Sequence, residues 1–189
     1  MKKVILSLCV VTISLIATAQ IGIRAGVNIS NWNGDDADGA KSLTGFYVGA
    51  QYMVAINEKF SIVPEAVYSM EGAKDEASDV KIKTDFINVA AMFRYNSSGF
   101  YIGTGPQLGF LMSAKADDGS NTMDLKDAFK STNFSWAFGL GYEMKNGLGI
   151  GARYNLGLSS IADDSNTDVK TGVFQIGLTY NFKLGGAAK

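Results

Sequence analysis

Histidine is absent from this chain of 189 residues, and no other feature of the sequence removes as much chemistry. Serine–histidine and cysteine–histidine catalysis, histidine metal sites and histidine acid–base work are excluded together. Cysteine occurs once, at Cys9, so no disulfide closes within the chain. A charge excess of one sign is also missing. Seventeen basic and 18 acidic residues leave a net charge of -1, which offers no field for nucleic acid. Proline occurs twice against 22 glycines, and 47% of the residues are hydrophobic, a composition that folds. The length suits one domain. No Ser–Lys or carboxylate pair stands out, no motif implies a cofactor, and a non-enzymatic protein is expected.

The amino terminus reads as an address. Lys2 and Lys3 precede an uncharged apolar run from Val4 to Ile16, and Ala17-Thr18-Ala19 places small residues before a cut. A signal peptide over residues 1–19 is expected, cleaved between Ala19 and Gln20. The run is too short for a comfortable transmembrane helix. Lipidation of Cys9 is disfavoured, because Leu8 is not the small residue that precedes a lipidated cysteine. The mature chain then has no cysteine and must hold itself together by burial and pairing. Loss of Lys2 and Lys3 takes its formal charge from -1 to about -3.

From Gln20 onward, apolar residues alternate with polar or small ones in eight segments. The first sets Ile21, Ile23, Val27 and Ile29 against Gly22, Arg24, Asn28 and Ser30. The second sets Phe46, Val48, Tyr52 and Val54 against Tyr47, Gly49 and Gln51. In the third, Ile62, Pro64, Tyr68 and Met70 oppose Ser61, Glu65 and Ser69, although Val63 and Val67 blur the pattern. The fourth runs Ile87, Val89, Phe93, Tyr95 against Asn88 and Arg94, and the fifth Ile102, Leu108, Phe110 against Gly103, Gly105, Gln107. The sixth is the cleanest, with Phe134, Trp136, Phe138, Leu140 and Tyr142 facing away from Ser135, Gly139, Gly141 and Glu143. The seventh opposes Ile150, Tyr154 and Leu156 to Gly151, Arg153 and Asn155, and the eighth Phe174, Ile176, Leu178, Tyr180, Phe182 to Gln175, Gly177 and Lys183.

The apolar face carries no charge, while the opposite face carries Arg24, Glu65, Arg94, Glu143, Arg153 and Lys183. So many bulky side chains do not fit inside an eight-stranded barrel, whose interior is just filled by modest ones. Turned outward into lipid they make sense, with tyrosines and other aromatics near the strand ends as interfacial girdles. A soluble ligand-binding barrel is the alternative, and it requires the aromatic face to be internal. Short turns at 57–59, 96–99 and 145–147 alternate with longer polar stretches near 31–45, 72–84, 116–132 and 159–171. That asymmetry fits an outer-membrane barrel with short periplasmic turns and long outer loops. The expected architecture is therefore all-β: an eight-stranded, antiparallel, up-and-down transmembrane barrel over 20–184, with a short periplasmic tail at 185–189. The expected location is the outer membrane of a Gram-negative cell, in contact with its lipid.

Three candidate sites follow. Arg24, Glu65, Arg94, Glu143 and Arg153 all fall in the periplasmic half of the lumen, where buried charges need partners. They form either a structural plug or a gate whose exchange of ion pairs opens a path. The loops hold acidic groups at Asp35, Asp36, Asp38, Asp117, Asp118, Asp163 and Asp164. Solvated loops explain these better than calcium does, because Gly34 stands in the first ligand position and no glutamate closes the loop. Met123 to Lys130 has a short helical look and suits a single turn over the barrel mouth.

Thr84-Asp85-Phe86-Ile87-Asn88-Val89 with Arg94-Tyr95, Gly103-Thr104-Gly105-Pro106, and Gly139-Leu140-Gly141-Tyr142 followed by Ala152-Arg153-Tyr154-Asn155 resemble the PorT-like family of small outer-membrane barrels. One departure is Ala90, where that family usually has proline. The resemblance implies an outer-membrane barrel and roles ranging from secretion accessory to porin-like protein. Gln175, Gly177, Tyr180 and Phe182 resemble the last-strand signal read by the barrel-assembly machinery, which implies that machinery as a partner. The expected role is envelope-structural or surface interaction through the loops, with a largely plugged lumen. The alternatives are a narrow porin for small solutes and an accessory of protein secretion.

Overall fold

The computed structural model describes residues 20–37, 39–76, 80–164 and 167–182. The expected signal peptide with Ala19, and also Asp38, Lys183 and the tail at 185–189, lie outside the described residues. Strands run in the order β1 (Gln20–Asn33), β2 (Ala40–Ala55), β3 (Phe60–Asp75), β4 (Lys81–Ser97) and β5 (Phe100–Asp117). A three-residue β6 (Thr122–Asp124) and a 3-10 turn (Lys126–Ala128) precede β7 (Thr132–Glu143), β8 (Leu148–Gly157) and β9 (Lys170–Phe182). Each long strand pairs antiparallel with its neighbours, and β1 pairs β9, so eight long strands close a barrel. β6 only extends β5 at one end. Closure satisfies every ladder and leaves no edge for lipid to strand.

Side-chain parity decides what faces where. Ile23, Val27, Phe93, Ile102, Phe138, Ile150, Ile176 and Leu178 stand exposed on the outer wall. Arg24, Asn28, Gln51, Glu65, Arg94, Arg153 and Gln175 are buried inside. This inverts the burial of a soluble protein, as lipid outside and side chains inside require. Val63 and Val67, which blur the third segment, also point inward. Val63 forms a small apolar cluster with Met92 and Ala137, against which Met53 packs.

At one end the connections are tight because local chemistry makes them so. Ser98 and Gly99 both take positive φ (49° and 90°), the twist that a two-residue hairpin between Ser97 and Phe100 needs. The Asn57 side chain accepts from the backbone N–H groups of Lys59 and Phe60, each at 2.9 Å. Beside these turns, Phe60 packs on Phe93 and Tyr95, Phe100 on Tyr142, and Tyr180 on Phe182, at centroid distances of 4.7–5.6 Å. This end carries an aromatic girdle.

At the other end the structure departs from the sequence reading. The polar stretches 31–45 and 72–84 are mostly strand, and β1–β2 and β3–β4 are joined only at 34–39 and 76–80. Beyond the lipid a strand no longer needs an apolar face, so the alternation fades while the ladder continues. Charged pairs decorate these extensions, Lys41 with Glu76 and Lys83 with Asp117, each at 2.8 Å. In the segment 123–130, Met123 lies in β6 and residues 126–128 make the single expected turn, of 3-10 type. Leu125 and Phe129 then pack over buried Phe86, Leu111 and Ala114, and Phe129 meets Trp32 at 5.7 Å.

Candidate functional site: the filled lumen

Glu65 projects from the middle of β3 into the lumen with no exposed side-chain surface. Arg153 of β8 reaches across the barrel and donates twice, Nη1 to Oε2 at 2.7 Å and Nη2 to Oε1 at 2.8 Å. Arg24 of β1 donates to Oε2 at 2.5 Å and Arg94 of β4 to Oε1 at 3.2 Å. One carboxylate thus ties four strands together through charge-assisted bonds, one of them bidentate. Each Glu65 oxygen accepts two of these bonds, so no lone pair of the carboxylate is left to act as a base.

Glu143 is the member of the expected network that stands apart. It accepts from Asn181 Nδ2 near the turn end, and among the described residues it pairs with no arginine. Its position in β7 is directly above the turn 144–147, two inward positions nearer the mouth than Gly139, the register partner of Arg153. The link is indirect: Asn181 accepts from Gln51 at 2.8 Å, and Gln51 accepts from Arg94 at 3.3 Å.

Two residues that the sequence reading placed in no site complete the cluster. Arg24 lies over the Tyr47 ring at 5.0 Å and Arg94 over the Tyr101 ring at 4.4 Å. Parity with the inward residues Gln51 and Gly103 would have found both tyrosines. Both side chains pack closely against glycines. A Cβ on Gly151 would stand 2.5 Å from the Tyr101 hydroxyl, and one on Gly177 would stand 2.2 Å from that of Tyr47. The inward glycines thus seat tyrosines as well as the arginines they were expected to accommodate.

The other half of the lumen is polar but less charged. Gln175 Oε1 accepts from Arg24 at 3.4 Å, and its Nε2 donates to Asn28 at 2.9 Å. Asn28 in turn donates to Ser69 at 2.9 Å. Glu71, buried among these groups, accepts from Asn88 at 3.0 Å and among the described residues meets no cation. Gln107 bonds Ser135 at 3.1 Å and Asn133 bonds Thr171 at 2.9 Å. Gln175 and Gly177 therefore face inward, while Tyr180 and Phe182 stand on the outer wall. The void bordered by the arginines and tyrosines measures about 10 Å³, and the turn-end mouth beside Glu143 and Asn181 about 290 Å³.

A closed transmembrane barrel is what comparison with known proteins also finds. The model of the outer membrane protein beta-barrel domain matches residues 5–182. The chain belongs to this family. Among solved structures, this family member is similar to Neisserial surface protein A, at 15% identity and a TM-score of 0.57 over 87% of this chain and 99% of that one. It is similar too to the attachment invasion locus protein Ail of Yersinia pestis, at 20% identity and a TM-score of 0.50 with the same coverage. These likenesses establish the fold. No curated protein is similar enough to count as a relative. As an outer-membrane barrel of a Gram-negative envelope, the protein turns its apolar wall to lipid. That wall has a recess of about 560 Å³ over Gly103, Gly139 and Ala152, rimmed by Phe93, Ile102, Phe138 and Leu140.

Proposed function

We propose that this is a non-enzymatic envelope protein whose lumen is a plug and whose role is carried by the loops. The observation that carries the reading is the Glu65 cluster, in which four interlocked side chains meet across the lumen beside a void of about 10 Å³. No hydrated ion passes a space the size of one water. The turn end faces the periplasm in this reading and the end with β6 faces outward, as in outer-membrane barrels generally. Residues 1–19 are removed after Ala19, and the aromatic pair Tyr180 and Phe182, beside Gly177, guides insertion by the barrel-assembly machinery. Gln175 supports that signal less, since its side chain serves the lumen. The secretion-accessory role implied by the PorT-like motifs draws support from those motifs alone.

Single-channel recording on the refolded chain, residues 20–189, in a planar bilayer tests the plug. A folded, heat-modifiable barrel that stays silent is expected. Discrete steps of reproducible size in the unmodified protein overturn the plug and make it a narrow porin, with Glu65 and Arg153 as its gate.

A further inference from the structure

Three guanidinium groups share one carboxylate. Arg24, Arg94 and Arg153 bring three positive charges to the single negative charge of Glu65, and all four side chains are more than nine-tenths buried. Buried charges are ordinarily paired one for one, because low dielectric makes an uncompensated charge costly. The faces of Tyr47 and Tyr101 soften two of the cations but carry no charge. The other lumen carboxylates bond neutral amides, Glu71 with Asn88 and Glu143 with Asn181, and among the described residues neither bonds an arginine.

Donor capacity is in excess as well. The Nε groups of Arg24 and Arg94 are buried and meet no acceptor. All three arginines and both tyrosines border the same void of about 10 Å³. From this charge excess, the unmatched donors and the shared void, we infer that the lumen binds one small monovalent inorganic anion of the chloride class between Arg24, Arg94 and Arg153. The anion supplies counter-charge and accepts from the guanidinium N–H groups that Glu65 cannot reach. Size excludes oxyanions such as phosphate and bulky organic anions. The inference rests on the plugged reading, since an open lumen would hydrate the arginines instead.

The test is thermal unfolding of the refolded barrel as chloride replaces gluconate at constant ionic strength. A saturable rise in the midpoint of roughly 5 °C is expected for a site filled well above its dissociation constant. Arg94→Gln should flatten the response. Glu65→Gln deepens the positive excess and should steepen it, the opposite of what a general weakening of the fold would do. Bromide soaked into crystals gives a readout that needs no variant: an anomalous peak between the three guanidinium groups. Coincident midpoints in chloride and gluconate with no bromide peak in the lumen overturn the inference. Conductance separates the two readings. Discrete conductance steps overturn the plug and the buried anion site with it; coincident midpoints with no bromide peak in a silent barrel overturn the anion site alone.

Discussion

At the scale of the residue, the lumen turns on Glu65 and on glycines that leave room for rings. Replacing Glu65 with alanine leaves three buried arginines without a carboxylate. The expected loss is about 3–5 kcal/mol, read from reversible urea unfolding in lipid vesicles. Gly151→Ala places a methyl against the Tyr101 hydroxyl, at a cost of about 1–2 kcal/mol. Tyr101→Phe removes the clashing oxygen, so the double variant should recover much of that loss, and a double-mutant cycle measures the coupling. Additive losses would mean that Tyr101 and Gly151 do not meet. Glycine spacing is visible in the sequence, but which ring each glycine seats is not. The partner of Gly151 lies in β5, two strands away around the wall.

The elements behave differently at the barrel's two ends. Turns at 56–59, 98–99 and 144–147 are set by local residues, above all Asn57, Ser98 and Gly99, and needed no tertiary help to be read. At the loop end the 118–131 connection depends on packing, with Leu125 and Phe129 covering Phe86, Leu111 and Ala114. Phe129→Ala should release that cover. Amide exchange across 118–131 should accelerate while the protection of β7 and β8 stays unchanged. In the same connection, the backbone N–H groups of Asn121 and Ser120 hold the Asp118 carboxyl below the ordinary aspartate range. A folded-state value below the unfolded one means that this capping is fully present above the unfolded value and is lost as pH falls through the folded one. An NMR titration of the Asp118 carboxyl should therefore show a midpoint below that of an unstructured aspartate. A midpoint at the unstructured value would mean the cap does not form in the membrane-bound protein.

Over the whole molecule, stability comes from a polar interior and an apolar exterior, and the cost of a charge depends on which side of the wall it meets. Ile176 stands on the outer wall between two neighbouring strands, and Gln175 beside it bonds Asn28 inside. Ile176→Arg should cost about 2–4 kcal/mol in folding equilibria measured in bilayers, the magnitude for a cation placed near the midplane. A change within error of zero would mean that this face does not meet lipid. Arg24 and Arg153, equally cationic but inward, are tolerated because Glu65 and Gln175 receive them.

Parity along the chain determined the strand count, the closed barrel, the lipid-facing wall and the inward direction of Arg24, Glu65, Arg94 and Arg153. A period of two is a property of the backbone, and lipid enforces it on every strand. The tertiary structure decided what parity cannot. Contacts across the lumen depend on how strand registers add up around the wall. Those registers put Arg153 of β8 on Glu65 of β3, left Glu143 with Asn181 at the mouth, and brought Tyr47 and Tyr101 beneath the arginines. They also carried the ladders past the apolar band, where side chains stop alternating but backbone hydrogen bonds still favour a strand.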